Sequence, residues 1–286
     1  VLNRVAITLE MIKFQHTVFA LPFALLAAFA VAGGIPPAIK LVWILVAMVG
    51  ARSAAMAFNR LVDAPIDAAN PRTATRALPA GLVSRGFVAF FTIASIALFV
   101  FACWKLNRLA LILAGPTLVV LLGYSFTKRF TSLSHLVLGL ALGIAPVGAA
   151  VAIEGAFNPK VLPLSAAVML WTAGFDILYS MQDAEFDRSS GLFSLPSRLG
   201  GARAFLLARS FHLLALCGFV AFGWLFAFGA IYWVGIAAAA ALLLWQHSIV
   251  SPDDISRIDA AFFTANGVLA IVLFVCGAAD LILRAR

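Results

Sequence analysis

Six of the chain's twelve acidic residues fall in two short segments. The first is Asn59-Arg-Leu-Val-Asp63-Ala-Pro-Ile-Asp67, and the second is Asp176-Ile-Leu-Tyr179-Ser-Met-Gln182-Asp183-Ala-Glu185-Phe-Asp187. If both are helical, their spacings place Asn59, Asp63 and Asp67 on one face and Asp176, Asp183 and Asp187 on another. Stacked carboxylates repel one another, and an ionisable residue inside a membrane span costs about 2.5–3.5 kcal/mol on insertion scales. A divalent cation resolves that conflict. Mg²⁺ takes hard oxygen ligands and commonly combines one or two carboxylates with phosphate oxygens. The pattern therefore predicts two half-sites facing a diphosphate. Pro65 argues against one unbroken helix through the first ladder, because it removes the hydrogen bond to the Leu61 carbonyl.

The elements that carry these residues follow from composition. Apolar residues make up 64% of the 286, charged residues only 11%, and the mean hydropathy is +1.06. A soluble domain cannot hide that much apolar surface. Runs near Thr17–Ala32, Ile39–Phe58, Phe87–Trp104, Leu109–Phe126, Leu133–Ile153, Leu162–Met181, Ala204–Phe222, Trp224–Leu244 and Ala261–Leu283 each approach spanning length. Lipid offers the backbone no hydrogen-bond partner, so these runs predict an all-α membrane bundle of nine transmembrane helices, a single domain over residues 1–286. The lead with Arg4 and Lys13, followed at once by a second span, suits a first transmembrane helix better than a cleaved signal peptide. Val1 reads either as an alternative start or as a trimmed end. Cys103, Cys217 and Cys276 lie inside apolar runs without metal-binding spacing, and His16, His135, His212 and His247 show no ligand pattern. All are read as packing or interfacial residues.

Threading the spans alternately collects most of the basic residues on one side, Arg52, Arg60, Arg72, Arg76, Lys128, Arg129, Arg188 and Arg198 among them, and the positive-inside rule makes that side cytoplasmic. Both acidic clusters lie there. Arg72, Arg76, Lys128 and Arg129 are thus available to phosphate oxygens, with Tyr124 one helical turn before Lys128. Solvated loop charges kept for topology would explain any one of these arginines. They do not explain half of the acids falling in two places.

Three motifs carry a resemblance to a known family. The first acidic segment with its tail, Asn70-Pro-Arg72-Thr-Ala-Thr-Arg76-Ala-Leu-Pro79-Ala-Gly81, the stretch Tyr124-Ser-Phe-Thr-Lys128-Arg129, and the second acidic segment together resemble the signatures of the UbiA superfamily of membrane prenyltransferases. The resemblance implies a central cavity open to the cytoplasmic side, Mg²⁺ held near Asn59, Asp63, Asp67, Asp183 and Asp187, and Asp176 lining the same cavity. It further implies diphosphate binding by Arg72, Arg76, Tyr124 and Lys128, with Arg129, Tyr179 and Arg198 as additional substrate contacts. One position departs: Arg60 stands where the family usually has aspartate, which removes one possible metal ligand.

Arg52 lies seven residues before Asn59, two turns deeper on the same face, where an intramembrane arginine must find an anion. In the aromatic-acid members of the family that anion is the acceptor's carboxylate; a structural pairing with Asp176 is the alternative. The opening Ile12-Lys-Phe-Gln-His16-Thr-Val-Phe-Ala-Leu-Pro22 and the tail Leu195-Pro-Ser-Arg198-Leu-Gly200 resemble the bacterial group serving 4-hydroxybenzoate or dihydroxynaphthoate in ubiquinone or menaquinone synthesis. The implied setting is the bacterial inner membrane, with a polyprenyl diphosphate and an aromatic acid as substrates, lipid as surroundings, no nucleic acid and no obligate protein partner. The implied chemistry is ionisation of the allylic diphosphate and attack by an electron-rich ring carbon, with Asp176 as candidate base. A CDP-alcohol phosphotransferase lacks support because its Asp-Gly-x-x-Ala-Arg opening is absent. A cation transporter or channel fits poorly because both acidic clusters sit at the cytoplasmic edge instead of along a path.

Overall fold

A computed structural model of the protein describes residues 7–8, 10–12 and 17–284. Arg4, Lys13 and His16, which entered the reading of the first span and the opening motif, lie outside them. All regular structure among the described residues is helical. Among the described residues, eight helices are long and apolar enough to cross a bilayer. The first predicted span is present as α1, whose described residues are Thr17–Ala32. Gly33, at φ +65°, and the Pro36-Pro37 pair end it.

The chain divides into two compact units, one of Val1–Thr17 and Val42–Phe126, the other of Val18–Leu41 and Thr127–Arg286. The first unit holds most of α2 (Ala38–Ala69), together with α3 (Arg85–Leu106) and α4 (Arg108–Thr127). Ser84 and Asn107 cap α3 and α4, their side-chain oxygens accepting from Phe87 N and Ala110 N at 3.1 and 2.8 Å. Gly50 lets α2 approach α3 so closely that a Cβ there would lie 2.8 Å from Phe99 N.

The expected break at Pro65 does not occur, because α2 continues to Ala69 and carries the whole first acidic ladder. Pro65 is exposed, so its ring needs no room in the core, and α2 passes through it at the cost of the one hydrogen bond that proline cannot donate.

The second unit holds α1, α5 (Ser134–Glu154), α6 (Leu162–Ser180), α7 (Ala184–Ser189), α8 (Leu195–Leu199), α9 (Gly201–Leu225), α10 (Ala230–Ser248) and α11 (Asn266–Arg284). A 3₁₀ turn, Met181–Asp183, joins α6 to α7. The second acidic ladder therefore does not lie on one continuous α-helix. The core is aromatic: Phe23 stacks on Phe219 at 5.5 Å and meets Trp171 edge-on at 5.1 Å, and all three are fully buried. A π-helical turn, Ala260–Ala265, sets Phe262 against Phe175 and Tyr179 at 5.1 and 4.3 Å. Asn266 supports it by donating to the Ala261 and Phe262 carbonyls.

Gly139 on α5 faces the backbone of Met169 on α6, where an added Cβ would collide with the carbonyl oxygen; Gly148 on the same helix faces open space. Backbone atoms cannot rotate aside. Gly139→Ala is expected to lower stability by about 1–3 kcal/mol, whereas Gly148→Ala should hold or raise it, since alanine is the better helix former. Thermal unfolding of the two variants in detergent checks this; equal melting temperatures would mean that the helices separate without cost.

Candidate active site

In the first unit the site is built around Asp67, which is buried at 5% exposure. Arg76 donates to its Oδ1 at 2.6 Å, Arg60 stands 3.7 Å from its Oδ2, and the Thr73 hydroxyl donates to its backbone carbonyl at 3.0 Å. The segment after α2 is a succession of turns that produces these contacts. Asn70 Oδ1 accepts from Arg72 N at 2.9 Å, Thr73 N and Ala74 N donate to the Asn70 carbonyl, and Gly81 closes the series at φ +72°. The tail thus wraps Asp67 and delivers Arg76 to it, leaving Arg72 exposed.

One and two turns before Asp67, Asn59 donates to Asp63 Oδ2 at 2.7 Å and reaches the Ser125 hydroxyl at 3.5 Å. Arg60, read as a lost metal ligand, has a position of its own: it is buried, and its Nε donates to the Met11 carbonyl at 3.2 Å. Arg52 is half-buried, and its Nε is fully buried without a hydrogen-bond partner among the described residues. Its electrostatic neighbours are Arg60, which repels it, and Tyr124. A guanidinium held beside another cation attracts an anion.

In the second unit, Asp187 is buried at 2% exposure and its Oδ2 lies 3.5 Å from Lys128 Nζ. The chain after α7 folds back over both. Phe193 N donates to the Lys128 carbonyl at 2.7 Å, Leu192 N to the Asp187 carbonyl at 2.8 Å, and Arg188 Nε to the Ser197 carbonyl at 3.3 Å. A reciprocal capping box between Ser194 and Ser197 starts α8. Asp183 is buried; Arg129 is exposed; Arg198 lies over the Phe193 ring with its guanidinium carbon 4.1 Å from the centroid. Tyr179 packs on Phe262.

Asp176 is held differently. Its Oδ2 lies 2.6 Å from His135 Nδ1, and His135 Nε2 accepts from Leu195 N at 3.2 Å. Sequence reasoning set His135 aside with the other histidines, because a residue so far from Asp176 in the chain forms no local pattern with it.

Among the described residues no three His, Cys, Asp or Glu side chains form a metal centre. The donors nevertheless suit Mg²⁺. Asp67 Oδ2 and Asp187 Oδ2 are both buried oxygens without a hydrogen bond, and hard carboxylate oxygens left in that state are the ligands such a cation takes.

Long apolar helices carrying two carboxylate clusters, each set against basic side chains, suit a membrane protein that handles charged groups. The model of the UbiA prenyltransferase family matches residues 20–268, and the chain belongs to that family. A 4-hydroxybenzoate octaprenyltransferase from Haemophilus ducreyi is 32% identical over 269 residues, 90% of this chain and 94% of the relative. A UbiA homologue from Aeropyrum pernix, solved in its apo form, superposes with a TM-score of 0.81 at 33% identity, covering 95% of this chain and 98% of the other. A UbiA homologue from Archaeoglobus fulgidus, solved with GPP and Mg²⁺, shares the fold at a TM-score of 0.72 and 19% identity, covering 96% of this chain and 99% of that one. The chain is therefore an integral membrane prenyltransferase, and the transporter and CDP-alcohol phosphotransferase readings fall away.

Proposed function

We propose that this enzyme transfers a polyprenyl group from an allylic diphosphate to a hydroxylated aromatic acid, 4-hydroxybenzoate or a dihydroxynaphthoate, as a step in quinone synthesis. Its setting is the bacterial inner membrane, with the site on the cytoplasmic side and one prenyltransferase domain spanning residues 1–286. The observation that carries the reading is the pair of buried carboxylate oxygens on Asp67 and Asp187, each beside a cation and each lacking a hydrogen bond. The relative's name supports the benzoate as acceptor.

Asn59, Asp63, Asp67, Asp183 and Asp187 are the proposed Mg²⁺ ligands. Mg²⁺, when bound, offsets the charge of the departing diphosphate. Arg72, Arg76, Lys128 and Arg129 receive the phosphate oxygens, aided by Tyr124; Arg76 and Lys128 are poised for this by their present pairing with Asp67 and Asp187. Tyr179 and Arg198 contribute to the substrate surroundings. Arg52 takes the acceptor's carboxylate. Asp176, with 19% of its side chain exposed, accepts the phenolic proton and makes the ring carbon electron-rich. Apolar surroundings exclude the water that would quench an allylic cation.

A product assay tests the proposal. Purified enzyme in detergent, given geranyl diphosphate, Mg²⁺ and either 4-hydroxybenzoate or 1,4-dihydroxy-2-naphthoate, should yield a prenylated acid and release pyrophosphate, with the benzoate preferred. Pyrophosphate release that ignores both acids would remove the aromatic-acid reading.

A further inference from the structure

We propose that His135 is a positioning residue for the proton transfer, holding Asp176 as the base; the inference rests on the role given to Asp176 above. His135 is fully buried at the start of α5, and both ring nitrogens are engaged. Leu195 N donates to Nε2, which therefore presents a lone pair. The ring's single proton is then on Nδ1, directed at Asp176 Oδ2 only 2.6 Å away. A backbone amide selects the tautomer, and the tautomer orients the carboxylate.

Asp67 and Asp187 are held differently from Asp176. Asp67 is paired with arginine and Asp187 with lysine, so cations offset their charge. Asp176 is held by a neutral donor, which orients the carboxylate without cancelling its charge. The first two suit phosphate and metal chemistry; the third suits proton acceptance.

The step balances. The phenolic O–H bond breaks and its proton moves to Asp176, while the allylic C–O bond breaks with its electron pair leaving on diphosphate. The ring carbon ortho to the oxygen forms the new C–C bond. Its displaced proton returns to the phenolic oxygen on rearomatisation, and the proton on Asp176 departs with diphosphate.

Two variants separate the two hydrogen bonds of the ring. His135→Asn keeps a donor at the δ position for Asp176 and loses the acceptor for Leu195 N. His135→Gln keeps an acceptor at the ε position and loses the δ donor. With geranyl diphosphate, 4-hydroxybenzoate and Mg²⁺, His135→Gln should lower kcat about tenfold and Asp176→Asn about a hundredfold, within the range of general-base effects. KM for geranyl diphosphate should hold in both. His135→Asn should keep kcat near wild type while its melting temperature falls, and the double variant His135→Gln/Asp176→Asn should be no slower than Asp176→Asn alone. If kcat simply follows melting temperature across the His135 variants, or His135→Gln turns over normally while Asp176→Asn is slow, the positioning role is overturned. If Asp176→Asn itself turns over normally, the role of Asp176 fails and the inference fails with it.

Discussion

Asp187→Asn should lower kcat about 10²–10³-fold while the protein stays folded. Asparagine keeps the size of the side chain and removes the charge from an oxygen that is buried without a hydrogen bond. Its partner, Lys128, retains a third of its side-chain exposure, so the orphaned ammonium can be solvated and little stability is lost. Asp67→Asn should behave otherwise. It removes one of the two carboxylates near Arg60, which is only 6% exposed and stands beside a second arginine, leaving Asp63 alone to offset it, and breaking a buried pair from one side costs about 3–5 kcal/mol. Melting temperature and kcat measured on both variants would therefore diverge: Asp187→Asn folded and nearly inactive, Asp67→Asn inactive and unstable. Near-normal turnover by Asp187→Asn would count against its place as a metal ligand.

The second large effect is expected at Arg52. If its guanidinium meets the acceptor's carboxylate, Arg52→Ala should raise KM for the aromatic acid about a hundredfold and leave KM for the diphosphate within about threefold, since losing one partner of a buried charge pair costs about 2–5 kcal/mol. Arg52→Lys should recover only part, because an ammonium lacks the planar fork. The neighbourhood of Arg52 sharpens the expectation: removing it relieves repulsion with Arg60, so the alanine variant should melt no lower than wild type. A lowered melting temperature with unchanged acceptor KM would return Arg52 to a structural role.

The long helices were legible because lipid leaves an apolar run little choice but to satisfy its backbone internally, and Phe87–Trp104 or Leu109–Phe126 needed nothing beyond length and composition. The end of α2 was not. Apolarity stops at Phe58 and Pro65 signals a break, yet the helix runs to Ala69, because the proline lies on an exposed side that local rules do not record. The 3₁₀ turn at Met181–Asp183 was hidden for a similar reason, its residues being ordinary helix formers. Residue types and spacing singled out the candidate acids and bases, but their pairing depended on chain reversals. Nothing in the order of residues announced that Thr73 and Arg76 would both turn back to Asp67, that Arg60 would bind the Met11 carbonyl, or that Leu195 N would decide which nitrogen of His135 carries a proton.

The division of the chain has a consequence for how the protein is made. The second unit is discontinuous, with the segment Val42–Phe126 inserted between α1 and everything that packs with it. As synthesis proceeds, α1 leaves the ribosome well before its partners: Phe23 waits for Trp171 and Phe219, and Phe29 waits for Phe274 on α11. Contacts so distant in sequence form slowly and leave partly packed species exposed in the meantime. A chain halted before α11 would leave Phe29 without its ring partner, so this part of α1 completes its packing only once α11 is in place.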